Sequence, residues 1–232
     1  MVCGGDFRVS GLTSGLQTTP DRQAVQFLVS VRSCGGALKT ERAPHEADIH
    51  LLLAAGVVAI AYFLAARLGL ALLSAGSDVA VFWPASGLAA GILITFGPRA
   101  RPALVIGVVV GTVAANLMSD RSLATSIFKG FCNAGEAVLA AWLLERWFGW
   151  PFTFGDLGRV GGFLAAAGLA TATSAIGGAA TMTLLHSAAP FWDAWRTWFL
   201  SDGVGIVVVA PVVIGLGQAW REPPSRSELM EG

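Results

Sequence analysis

Apolar runs, set apart by short polar and charged stretches, predict six helices. The runs cover residues 49–74, 78–96, 102–118, 126–147, 160–185 and 198–217. Each is close to the roughly 17–25 residues that cross a bilayer as an α-helix. None alternates apolar and polar positions with the period of two that a membrane-facing strand needs, which argues against an outer-membrane barrel. Residues 1–46 are of different material, rich in Gly, Ser, Thr and charge, with one short apolar patch at 24–31. They read as a disordered cytoplasmic tail. They contain no basic start followed by an apolar stretch and a small-residue cleavage site, so no cleaved signal peptide is expected. The domain plan is therefore a tail over 1–46, an integral-membrane domain over 47–220 and a second cytoplasmic tail over 221–232.

Composition strengthens the membrane reading. Only 13% of residues are charged and 54% are hydrophobic, with a mean hydropathy of +0.66, whereas soluble domains carry about 25% charged residues. The expected fold is thus all-α, a polytopic transmembrane bundle of about six spans. Formal net charge is zero, so no nucleic-acid partner is expected. The basic residues fall into two sets. Lys39, Arg42, Arg99, Arg101, Arg146, Arg159, Arg221 and Arg226 lie at one end of the predicted bundle, against mainly Arg121 and Arg196 at the other. Lys and Arg favour the cytoplasmic side, which predicts both termini in the cytoplasm and a multi-pass protein of the inner membrane. Trp147, Trp150 and Trp220 would mark the cytoplasmic interface, and Trp192, Trp195 and Trp198 the other.

Two Gly-x-x-x-Gly pairs, Gly87/Gly91 and Gly107/Gly111, let helix backbones approach closely. They predict close packing inside the bundle, with dimerisation through one such face as the alternative. The fifth run is nearly all Gly and Ala over 165–180, which predicts a central helix with little bulk to offer lipid.

Candidate chemistry lies in the polar residues inside the runs. Lys129, Asn133 and Glu136 are spaced by four and three, which stacks them on one helix face. Ionisable residues within a span face the bundle interior or a wet cavity. Asp202 is read one turn into the sixth run, where it either caps the helix or joins a site. Asn116 near the end of the third run is placed in the same vestibule. Arg67 is expected to snorkel to the headgroups. Pro84 lies inside the second run after Trp83 and removes a backbone hydrogen bond, so residues 78–83 are expected to be bent, extended or re-entrant. Such backbone survives at membrane depth only when buried in protein or lining a cavity. Pro211 is a second candidate kink. Soluble-type catalytic motifs are missing, and three cysteines and three histidines are scattered, so no metal, cofactor or enzymatic activity is expected.

Phe82-Trp-Pro-Ala-Ser-Gly-Leu88, Phe96-Gly-Pro-Arg-Ala-Arg-Pro102 leading to Gly107, Asn116, Asn133-Ala-Gly-Glu-Ala137, Trp198-Phe-Leu-Ser-Asp-Gly-Val-Gly205 and Val209-Ala-Pro211 occur in that order. In these motifs the chain resembles the first type of bacterial membrane-associated sensor domain, the MASE family. The resemblance covers about residues 50–220. It implies an integral-membrane input module for a kinase or a cyclic-di-GMP enzyme, perceiving an undefined small-molecule or ion signal. Family domains are usually longer, and no Gly-Gly-Asp-Glu-Phe, Glu-Ala-Leu or kinase core is present among these residues. The cytoplasmic output is therefore expected from elsewhere. The residues carried into a ligand site are Glu136, Asn133, Lys129, Asp202, Asn116, Trp83 and Pro84. A small secondary transporter or channel-like protein is the alternative, since intramembrane carboxylates and broken helices occur there too.

Overall fold

The computed structural model describes residues 44–72, 82–119, 121–186 and 190–221. These residues form six helices and no strand: α1 (Pro44–Ala71), α2 (Pro84–Phe96), α3 (Arg101–Leu117), α4 (Leu123–Phe148), α5 (Leu157–His186) and α6 (Phe191–Arg221). The expected N-terminal tail over 1–46 and C-terminal tail over 221–232 lie almost wholly outside the described residues, as does most of the segment 78–83.

Four of the helices, α1, α4, α5 and α6, are long and apolar enough to cross a membrane, while α2 and α3 are shorter apolar helices. At 1.5 Å per residue the 13 residues of α2 extend only about 20 Å, short of a hydrocarbon core of about 30 Å. The second predicted run is therefore not one helix with a proline kink. Pro84 is the first helical residue of α2, and Trp83 before it is extended (φ −118°, ψ 85°). A proline at that position gives up an N–H that has no intrahelical acceptor anyway, and it holds the preceding residue out of the α region.

The extended residues 82–83 are wedged between two helices. The Trp83 N–H donates to the Ser201 carbonyl of α6 at 3.2 Å. On the other side, a Cβ on Gly69 of α1 would sit 2.9 Å from the Trp83 ring. This half-buried segment is thus packed between helices and borders the cavity, the condition for irregular chain in a membrane.

Glycine pairs set the crossings within the chain. Gly87 and Gly91 of α2 face Gly205, Val209, Ala210 and Val213 of α6, and Gly107 and Gly111 of α3 face Ala55, Val58, Ala59 and Tyr62 of α1. The most enclosed helix is α2, nine of whose 13 residues are buried. The expectation that the fifth run is central is corrected. α5 packs on α4 and α6 but turns Leu164, Leu169, Ile176 and Leu184 outward, and its Gly161 and Gly168 have nothing near them. Its small residues form a face, not a whole surface. α6 starts at Phe191, seven residues before the predicted start, and continues through Pro211.

At the end of the bundle where α3 starts and α4 ends, Arg101 pairs with Glu145 at 2.6 Å. At the same end Arg221 donates to the Thr95 carbonyl and lies 4.9 Å from the Trp150 ring centroid, while Gln218 Nε2 donates to the Phe152 carbonyl at 3.1 Å. The last turns of α6 are thereby tied to the end of α2 and to the loop between α4 and α5.

Candidate functional site

The opposite end of the bundle, where α1, α3 and α5 finish and α2, α4 and α6 begin, holds a cavity of about 450 Å³. Every helix except α2 contributes to its lining, and Trp83, the residue before α2, adds to it. Volumes of about 300–1,000 Å³ are usual for small-molecule pockets.

The face on α4 assembles as its spacing dictates. Lys129 and Asn133 line the cavity. Glu136, one turn further along and 2% exposed, lies behind the lining, with Asp202, Ser86 and Ser174 as the polar groups around its carboxyl. Neither Glu136 oxygen has a hydrogen-bond partner among the described residues, and the same holds for Asn133 Oδ1 and Asp202 Oδ2. Buried polar atoms are nearly always partnered, so these acceptors mark an unusual place in the molecule.

Asp202 lines the cavity and is 4% exposed. Because α6 starts at Phe191, Asp202 sits about three turns into the helix. This overturns the capping alternative, and Asp193 is the acidic residue in the first turn. Ser201 Oγ donates to Asp202 Oδ1 at 3.4 Å. Asn116 lines the cavity from α3, with its Nδ2 donating to the Thr112 carbonyl at 2.9 Å. Trp83 also lines it. Pro84 does not: it is buried as the first residue of α2 and acts by placing Trp83 and Ser86.

Three participants escaped the reading of the sequence. Tyr62 is fully buried in α1. Its hydroxyl accepts from Asn133 Nδ2 at 2.8 Å and from Trp83 Nε1 at 3.4 Å, joining α1, α4 and the extended segment. It is the chain's one tyrosine, and a lone phenol inside an apolar run needs a buried partner, which was the available signal. Arg67 does not snorkel to the headgroups. It lines the cavity, and its Nη1 donates to Ser119 Oγ of α3 at 3.0 Å. Trp198 is not an interfacial residue either. It is 9% exposed, lines the cavity and has Lys129 Nζ 5.7 Å from its ring centroid. Gly178 of α5 leaves the space its ring fills. Trp147, Trp150, Trp192 and Trp220 are exposed as an interfacial belt requires.

The arrangement is amphoteric. Arg67, Arg121 and Lys129 line it together with Asp202, and Glu136 lies behind Asp202. Trp83, Trp198 and Met182 add apolar wall. Such a cavity suits recognition of a small molecule by charge and shape.

Neither the curated proteins nor the solved structures contain a match to the chain. The MASE1 family model matches residues 54–231, more than half of the chain and all six helices in whole or in part. The motifs that line the cavity, from Phe82-Trp-Pro to Ser201-Asp202, all fall within that match, and on this ground the chain belongs to the MASE1 family of membrane-associated sensor domains.

Proposed function

We propose that this chain is a sensory input module of the inner membrane, without catalysis of its own, that perceives a signal in the cavity and passes it to a cytoplasmic kinase or cyclic-di-GMP output supplied elsewhere. In this reading all six helices lie within the membrane, both termini are cytoplasmic, and the cavity opens to the opposite side. The observation that carries it is the meeting of Asp202 and Glu136, from two helices, with unpartnered acceptors about three turns into α6. The far end of that same helix is fastened through Gln218 and Arg221.

The mechanism is a population shift. A ligand moves the equilibrium between two arrangements only by its differential affinity for them. One that engages Asp202 changes the seat of α6 against the Trp83 segment, since the Ser201 carbonyl next to Asp202 holds the Trp83 N–H. The 20-residue stretch from Asp202 to Arg221 transmits the change over about 28 Å of helix.

The test is a fusion of the full chain to a cyclic-di-GMP synthase. Glu136→Gln and Asp202→Asn are each expected to lock output in one state, removing a signal-dependent change of about tenfold. Arg221→Ala is expected to uncouple output while leaving the cavity intact. Unchanged signalling in both cavity variants defeats the reading. Proteoliposome flux that depends on Glu136 would favour the transporter instead, for which α2, a short helix starting inside the bundle beside carboxylates, is the supporting observation.

A further inference from the structure

The unpartnered groups of the cavity are not balanced between donors and acceptors. In the lining Asn133 Oδ1 and Asp202 Oδ2 accept and Trp198 Nε1 donates, while behind it lie both Glu136 oxygens and the Ser86 hydroxyl, all without a partner among the described residues. Asn133, Asp202 and Glu136 are each more than nine-tenths buried. A ligand complementary to this region brings N–H donors and positive charge. A protonated primary amine brings both. A quaternary ammonium group has no N–H to give, and a bare metal ion leaves most of a cavity of about 450 Å³ walled by Trp83, Trp198, Met118 and Met182 unused.

The other charged lining opposes a simple amine. Arg67 borders the same cavity. Arg67 is hydrogen-bonded to a neutral hydroxyl, Ser119 Oγ, and no carboxylate among the described residues pairs with it. Its guanidinium therefore keeps its charge facing the cavity, repelling a lone cation and offering a planar donor fork to a carboxylate. The cavity thus holds both an acidic group and a cation, which ask for opposite charges on one molecule, and its Trp and Met lining asks for an apolar group.

We infer that the cavity binds a small zwitterion, a free amino acid with an apolar or aromatic side chain. Its ammonium group rests on Asp202 and Asn133 in front of Glu136, its carboxylate on Arg67, and its side chain against Trp83, Trp198 and Met182. This rests on the sensor reading for its consequence in signalling, but not for the binding itself.

The experiment uses the purified full chain in lipid nanodiscs, with binding read by calorimetry. The probes are L-leucine, L-methionine and L-phenylalanine, each beside its N-acetyl and its carboxamide derivative. At least one free amino acid is expected to bind with a Kd below about 1 mM, and acetylation or amidation is expected to weaken it by about tenfold or more. Asp202→Asn should weaken the free amino acid but not the N-acetyl form further. Arg67→Gln should weaken the free amino acid but not the carboxamide further. These paired comparisons separate a lost contact from a misfolded variant, which would lose both ligands alike. The inference is overturned if no free amino acid binds at about 10 mM, or if either derivative binds as well as its parent. Loss of signalling in Asp202→Asn without amino-acid binding to the wild type would sink this inference and spare the sensor reading. Binding that follows the pattern above, with signalling indifferent to Asp202, would do the reverse.

Discussion

Gly205→Ala is expected to destabilise the bundle severely, while Gly203→Ala, two residues earlier on the same helix, is expected to leave it nearly unchanged. A Cβ on Gly205 would lie 2.0 Å from the Trp83 carbonyl oxygen, and one on Gly87 would lie 2.0 Å from the Gly205 carbonyl oxygen. Both obstacles are backbone, so no side chain can rotate away. Relief requires moving the extended segment off α6, which breaks the Trp83 N–H bond to the Ser201 carbonyl. Overpacking a close contact costs about 1–3 kcal/mol even where neighbours can adjust, and here about 3 kcal/mol or more is expected. That corresponds to a fall of roughly 10 °C in melting temperature for a chain of this size. At Gly203 the nearest foreign atom to a Cβ is Thr171 Oγ1 at 3.9 Å, an ordinary contact, and replacing a mid-helix glycine by alanine gains up to about 1 kcal/mol in propensity. Thermal unfolding of the two variants in the same nanodiscs checks this. Equal melting temperatures would show that α2 and α6 do not cross as described.

How much of this was legible in the sequence depends on whether the cause was local. The face of Lys129, Asn133 and Glu136 follows from spacing along one helix, and it stands in the structure with two of the three residues at the cavity and the third just behind. The start of α2 was half legible. Pro84 marked the place, but an apolar run from 78 to 96 looks the same whether the helix bends at the proline or begins there. The choice is made by Gly69 and Gly205, distant in sequence, which provide the slot for an extended Trp83. Asp202 was misplaced for a different reason. The segment 191–197 contains Asp193, Arg196 and Thr197 and reads as a polar connection. In the structure Arg196 pairs with Asp193 along the helix surface, and Trp195 Nε1 donates to the Ala172 carbonyl of α5 at 3.2 Å. These interactions continue the helix beyond its apolar stretch.

The roles of Arg67, Trp198 and Tyr62 were out of reach of periodicity. Each has a side chain that is equally at home at an interface or inside, and only the neighbouring helix decides. For Arg67 the decision is made by Ser119 at the end of α3, which accepts its hydrogen bond, and for Trp198 by Gly178 of α5. Small residues on one helix thus set the role of large residues on another. This long-range coupling also misled the reading of α5 as central, since its Gly and Ala were counted by number and not by face.

Tyr62→Ala is expected to cost more than any other single truncation in the polar core, and Tyr62→Phe to separate the reasons. Removing the side chain of a fully buried aromatic residue empties a packed volume at about 3–5 kcal/mol. Tyr62→Phe keeps that volume and deletes only the hydroxyl. Asn133 Nδ2 then loses its acceptor at 2.8 Å and Trp83 Nε1 its acceptor at 3.4 Å. Leaving a buried donor unsatisfied costs about 1–3 kcal/mol, and Asn133, with its Oδ1 already without a partner among the described residues, has no second anchor on that side. The effect is expected to be coupled. With Asn133→Ala in place, Tyr62→Phe should cost less than alone by about 0.5–3 kcal/mol, as for residues in direct contact. The same release frees Asn133 and Trp83, both cavity residues, so ligand response should fall in Tyr62→Phe although Tyr62 itself is not part of the cavity lining. Unfolding of the four members of the cycle in nanodiscs measures the coupling. A Tyr62→Phe variant as stable as the wild type, with strictly additive behaviour beside Asn133→Ala, would show that the hydroxyl does not join α1 to α4.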